Sequence, residues 1–157
     1  MDNPKLLRKI NLSLILVTCQ LILIVTFGGG WEYYPYRAPW VGFALVPFPS
    51  TPWYAATTAI ILYITLAVVF LYIAWLIAQV VVPDRIPLDL KSILFVDMIV
   101  SGILSLLLIF AFSFFAGGFG ASASKDISLG YSFWLCVIAA ITGVGSMISA
   151  GLGWFRS

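Results

Sequence analysis

The sequence predicts an all-α integral membrane protein: a single membrane domain over residues 1–157, folded as a four-helix transmembrane bundle with both termini cytoplasmic. Three observations predict it. Four apolar runs, about 10–27, 54–82, 93–116 and 129–153, each reach the ~20 residues that carry a helix across the hydrocarbon core. The chain is 62% hydrophobic and 9% charged, with a mean hydropathy of +1.11. A soluble domain carries roughly 25% charged residues, so these runs are not the core of one. The cations are also asymmetric. Lys5, Arg8, Lys9, Arg85, Lys91 and Arg156 fall on the side of the termini, and Arg37 and Lys125 on the other. Lys and Arg collect on the cytoplasmic face, which sets the orientation.

The first run follows a basic stretch, as a signal peptide would. It is longer than the ~7–15 apolar residues of one, and 27–31 (Phe-Gly-Gly-Gly-Trp) is a poor cleavage site, so a retained helix is expected. Gly28, Gly29 and Gly30 end it. The sequon at Asn11 lies at the inner surface and stays bare. The second run would be about 43 Å long at ~1.5 Å per residue and must tilt or project beyond a ~30 Å core. Pro83 and Pro87 end it, and Asp89 or Ser92 is suited to cap the third. The outer loop 117–128, rich in Gly, Ala and Ser, reads as a flexible connector.

The other outer loop, 28–53, is unusual. It interleaves Trp31, Tyr33, Tyr34, Tyr36, Trp40, Phe43, Phe48 and Trp53 with five prolines, which rules out a regular helix or an inner strand. Trp and Tyr favour the headgroup level, so an aromatic belt is one reading. The other is a partner-docking surface, with Trp31, Tyr33, Tyr34, Tyr36, Trp40 and Phe43 as rigid anchors.

Within the spans, Asp97 is the one clear ionisable group; such residues usually face the bundle interior. Asn11, Gln79, Asp97 and Ser101 form an expected intramembrane polar cluster, within reach of a snorkelling Lys9. Gln20 lies deeper, near the bilayer middle. Asp97, Ser101 and Ser105 recur every four residues and share a helix face. An interhelical hydrogen-bond cluster explains them more simply than a proton or ion relay, which needs polar groups across the whole membrane. The fourth run carries small-residue rows. Gly145, Ser149 and Gly153 form one, Thr142, Ser146 and Ala150 another, and Ala139 and Gly143 a third. Such rows let backbones approach closely, either within the bundle or against another subunit.

The chain has no histidine, which removes the commonest metal ligand and general base. Cys19 and Cys136 both fall within spans, so no extracellular disulfide framework is expected. No cofactor, metal site, nucleic-acid partner or catalytic constellation is expected, and the protein is read as no enzyme. The two cysteines form no Cys-x-x-Cys pair of the kind quinone reductases of the vitamin K epoxide type need. The second run lacks the charges of the four-helix membrane glutathione transferases.

Two families share this topology. The segments 94–99 (Leu-Phe-Val-Asp-Met-Ile) and 139–146 (Ala-Ala-Ile-Thr-Gly-Val-Gly-Ser) resemble the MARVEL family of tetraspan proteins, which implies a role in organising membrane patches, vesicles or junctions. The claudin and peripheral-myelin-protein family expects Gly-Leu-Trp and then two cysteines in its first loop; here there is Gly30-Trp31, no loop cysteine, and a loop over 28–53 too short for the claudin sheet, so the chain matches that family poorly. The function expected is non-catalytic organisation or sorting of membrane components through helix–helix and outer-loop contacts, in a plasma or vesicle membrane. The alternatives are an auxiliary subunit of a channel, transporter or other large complex, and a small ion or proton transporter using Asp97. The expected partners are membrane lipids and other membrane proteins, in a complex or a homo-oligomer.

Overall fold

The computed structural model describes residues 3–28, 31–33, 53–86, 89–122 and 128–157. In chain order these form α1 (Pro4–Phe27), β1 (Glu32–Tyr33), α2 (Trp53–Val81), a 3-10 turn (Pro83–Arg85), α3 (Leu90–Ser122), β2 (Ser128–Leu129) and α4 (Tyr131–Arg156). All four α-helices are long and apolar enough to cross a membrane. The chain is an all-helical four-span bundle.

The helix ends follow local chemistry more than hydropathy. α1 starts six residues before its apolar run. Asn3 Oδ1 accepts from the Lys5 amide at 3.0 Å, and Pro4, which lacks an N–H to satisfy, opens the helix. At the other end the Gly28 amide donates to the Ile24 carbonyl at 2.7 Å, as the glycine run predicts. Asp89 caps α3, its Oδ1 accepting from the Ser92 amide at 3.2 Å. The Ser92 side chain, and then this amide bond, hold the exposed Asp89 carboxyl below its ordinary value of 3.8.

The outer connector 117–128 is shorter than expected. α3 runs on to Ser122, and Ser128–Leu129 is a strand. Tyr54 lies directly on Gly118; a Cβ there would collide with the tyrosine's own Cβ. α3 includes Gly117, Gly118 and Gly120 despite their poor propensity, and of the three only Gly118 is packed against Tyr54. β1 and β2 pair antiparallel, Glu32 opposite Leu129 and Tyr33 opposite Ser128. The strand sits just ahead of Pro35, where the loop's prolines begin.

α4 packs along both α1 and α3, α2 packs on α3, and the α1–α2 seam is the lightest of the four. The buried centre is filled by Ile15 and Ile22 from α1, Leu62 and Val69 from α2, Leu104 and Leu108 from α3, and Cys136 and Ala139 from α4. Large apolar side chains such as Leu71, Val80 and Ile141 point outward on all sides, as the hydrocarbon requires. Leu7, Leu94 and Gly153 meet at one level, so the start of α1, the start of α3 and the end of α4 share a face.

Candidate functional site

Two layers of the bundle hold the residues that the sequence marks out. The first lies near the face of the termini. Asn11 Nδ2 donates to the Ser146 carbonyl at 3.0 Å and to Ser146 Oγ at 2.8 Å. Ser146 Oγ in turn lies 2.8 Å from Ser101 Oγ. All three residues are fully buried. This chain of bonds joins α1, α4 and α3 at one point. One turn higher, Thr18 Oγ1 meets Thr142 Oγ1 at 2.8 Å.

The other half of the layer involves α2. The Tyr72 hydroxyl donates to Asp97 Oδ1 at 2.7 Å, deep in the bundle. Arg8 reaches Gln79 across the light seam, Nη2 to Oε1, at 3.4 Å. Tyr72, Trp75 and Gln79 are three and four residues apart, so they share one face of α2. Five buried polar atoms of this layer have no protein partner: Asp97 Oδ2, Asn11 Oδ1, Arg8 Nε, Trp75 Nε1 and Gln79 Nε2. They comprise two acceptors and three donors, a mixed set that bound water can bridge.

The expected cluster of Asn11, Gln79, Asp97 and Ser101 is thus one layer but three separate bonded groups. Its bridging members are Ser146, Tyr72 and Arg8. Neither Tyr72 nor Arg8 was among the expected members; helical phase, seven residues from Gln79 and three from Asn11, is the only signal for them, and neither residue type by itself marks burial. Lys9, expected to snorkel inward, is exposed, and Arg8 turns inward instead. The Asn11 sequon is buried in the bundle, and Gln20 points outward from α1.

The small-residue rows of α4 lie against α1 and α3. A Cβ on Gly143 would come within 2.6 Å of Ser105 Oγ. One on Gly153 would sit 3.1 Å from Leu94 and 3.4 Å from Leu7, and one on Gly145 3.4 Å from Leu14. Ser149 is buried and donates to the Ser146 carbonyl at 2.9 Å. Gly143, Ser149 and Gly153 are buried at the close approach of α4 to α1 and α3, and Gly145 is half-buried beside Leu14.

The second layer closes the end opposite the termini. Trp31 is fully buried. Its ring lies 4.9 Å from Phe115, and its Nε1 donates to the Val25 carbonyl at 3.0 Å. Tyr54 meets Phe115 edge-on at 5.3 Å, and Phe133 completes the cluster. The Gly130 amide donates to the Trp31 carbonyl at 2.7 Å. Trp31 is therefore a bundle anchor and not a docking residue, because its ring has no surface left for a partner. Tyr33 lies in β1; Tyr34, Tyr36, Trp40 and Phe43 lie outside the described residues.

In the half away from the termini, the Thr58 hydroxyl donates to the Tyr54 carbonyl at 2.7 Å and the Thr26 hydroxyl to the Ile22 carbonyl at 2.6 Å. Leu108, Ala111 and Phe115 occupy the path outward from Ser105. Among the described residues no three His, Cys, Asp or Glu side chains gather as a metal site would require, and both cysteines are buried free thiols.

The family model for tight junction proteins of the claudin-like type matches residues 1–152. The chain belongs to the claudin-like family. The match covers all four spans of this claudin-like bundle and both of its layers. It is not to the MARVEL family that residues 94–99 and 139–146 resemble. No curated protein and no solved structure matches the chain. The claudin-like protein is a multi-pass integral membrane protein.

Proposed function

We propose that this claudin-like chain is a non-catalytic, junction-type tetraspan, oriented with both termini in the cytoplasm, that organises plasma-membrane components through lateral helix contacts and its outer loop. The observation that carries this reading is the claudin-like match across residues 1–152, on a bundle whose buried polar groups bond helix to helix. Gln20 supports the lateral contact. It is exposed on the outward side of α1, beside Leu16, Val17 and Ile24 and near the centre of the apolar run. A glutamine amide both donates and accepts, so a span of a second membrane protein can satisfy it where lipid cannot.

The test is full-length protein, fluorescently tagged and expressed in contacting cells. Enrichment at cell–cell borders is expected, with energy transfer between tagged copies that Gln20→Leu reduces. Even distribution over the surface with no energy transfer would refute the organising role. Stoichiometric co-purification with one large channel or transporter would instead establish the auxiliary-subunit reading. Tags at both ends that label only after permeabilisation would fix the orientation.

A further inference from the structure

A cavity of about 520 Å³ opens on the face of the bundle that carries the termini, lined by Lys5, Arg8, Lys9, Leu12 and Leu90. Four of these come from the first turns of α1, where they recur at helical spacing, and Leu90 is the first residue of α3. The cavity therefore gathers three cations and two aliphatic side chains, and no carboxylate lines it among the described residues. Asp89, just before α3, caps that helix through the Ser92 amide and lines a different hollow with Lys91 and Trp154, while Asp97 within α3 answers part of the Arg8 charge from inside the bundle.

Three features converge on the same chemistry. Two helices, α1 and α3, begin here, and the positive ends of their dipoles add to the three side-chain charges. Arg8 lines the cavity while half-buried: its Nη2 makes only a long 3.4 Å bond to Gln79, and its buried Nε belongs to the polar layer behind. Lys5 and Lys9 are exposed and lie on either side of it. Leu12 continues the wall one turn further into the membrane, where a headgroup gives way to acyl chain. A soluble anion would have no use for that apolar wall.

We propose that this cavity binds the headgroup of a phosphorylated, multiply anionic phospholipid, with phosphate oxygens on Lys5, Arg8 and Lys9 and the first carbons of an acyl chain on Leu12 and Leu90. A single-charge headgroup answers only one of the two exposed lysines, Lys5 and Lys9, which is why a polyphosphorylated inositol lipid fits better than phosphatidylserine.

The experiment uses the full chain in phosphatidylcholine nanodiscs, titrated with dioctanoyl phosphatidylinositol bisphosphate and read by native mass spectrometry. Saturable binding of one lipid is expected. Each lysine-to-glutamine change should weaken it about fivefold, and Lys5→Gln with Lys9→Gln about 25-fold, from the ~1 kcal/mol a cation contributes near an anionic surface. Both lysines are exposed, so this double variant leaves the bundle intact even if Arg8→Gln does not fold. Arg85→Gln, a cation on the same face but outside the cavity, should leave binding unchanged; an equal loss would show diffuse attraction and overturn the site. Inositol bisphosphate without chains, or inorganic phosphate, competing as well as the lipid would overturn the lipid assignment. Equal binding of phosphatidylserine would overturn the preference for multiple charge.

Discussion

Asn11→Ala tests whether the inner polar layer holds the bundle together. The substitution removes two bonds from Asn11 Nδ2, at 3.0 Å and 2.8 Å, both crossing from α1 to α4. Interhelical side-chain bonds in membranes average about 0.6 kcal/mol and reach about 1.7, so the two together contribute about 1–3 kcal/mol. One term acts in the opposite direction: Asn11 Oδ1 has no protein partner, and removing it relieves an unsatisfied buried acceptor. A net loss of about 1.5 kcal/mol is expected, roughly a tenfold shift in the unfolding equilibrium. Unfolding in mixed micelles of increasing SDS fraction, followed by tryptophan fluorescence, measures it. Ser146→Ala should be less than additive with Asn11→Ala, by at least about 0.5 kcal/mol, because the two side chains share a bond. Gln20→Leu is the comparison on the same helix and should stay within about 0.5 kcal/mol of the parent, since that side chain is exposed and touches no other helix by hydrogen bond. Equal destabilisation by Gln20→Leu and Asn11→Ala, or strict additivity with Ser146→Ala, would refute the reasoning.

Trp31→Ala should lower the unfolding midpoint by the equivalent of about 3 kcal/mol or more, as expected for a fully buried indole; an unchanged midpoint would return Trp31 to the docking surface. Tyr72→Phe leaves both Asp97 oxygens without a protein donor and should destabilise by about 1–3 kcal/mol, whereas adding Asp97→Leu should recover most of the loss; a double variant no better than the single would show that Asp97 has another partner. Asp89 has a lowered value in the folded state, so its contribution is present above the ordinary 3.8 and disappears as pH falls through the lower folded value. The Ser92 amide resonance should titrate below pH ~3.8 and cease to do so in Asp89→Asn; a midpoint above 3.8 would contradict the cap.

The four spans were legible because hydropathy reports the solvent directly, and lipid tolerates no other irregularity of backbone. The ends were less so. Asn3 and Pro4 extend α1 through Lys5, Arg8 and Lys9, whose charge hides a helix from a hydropathy reading. α3 continues through Gly117 and Gly118, and Tyr54, sixty-four positions earlier, leaves no room for a Cβ at Gly118. No local signal carries that. The inward face of α1, by contrast, was in the sequence. Asn11 and Thr18 are seven residues apart and lie on one side, and Gln20, nine residues after Asn11, falls about 180° away at ~100° per residue. Depth alone suggests that Gln20 belongs with the polar core; helical phase places it outside. The polar layer itself resisted reading because Tyr72 and Arg8 are ordinary residues at helix positions where either burial or exposure is acceptable.

The family relationship turns on the outer end. By sequence, the missing loop cysteines and the short first loop argue against a claudin-like chain, and the acidic start of the third span favours a different tetraspan family. Both signals concern features that the fold can replace. The first outer segment is tied to the last by the β1–β2 pairing and by the Gly130 amide on the Trp31 carbonyl. Trp31 is then pinned from below by Phe115 and by its own bond to Val25. A buried indole with its N–H satisfied orders the start of the loop without a covalent bridge. The acidic residue at position 97 is in turn a hydrogen-bond acceptor for Tyr72, which any four-helix bundle could adopt to join its second and third spans. Trp31 is thus the more informative position of the two, because its burial fixes the start of the first loop against the bundle.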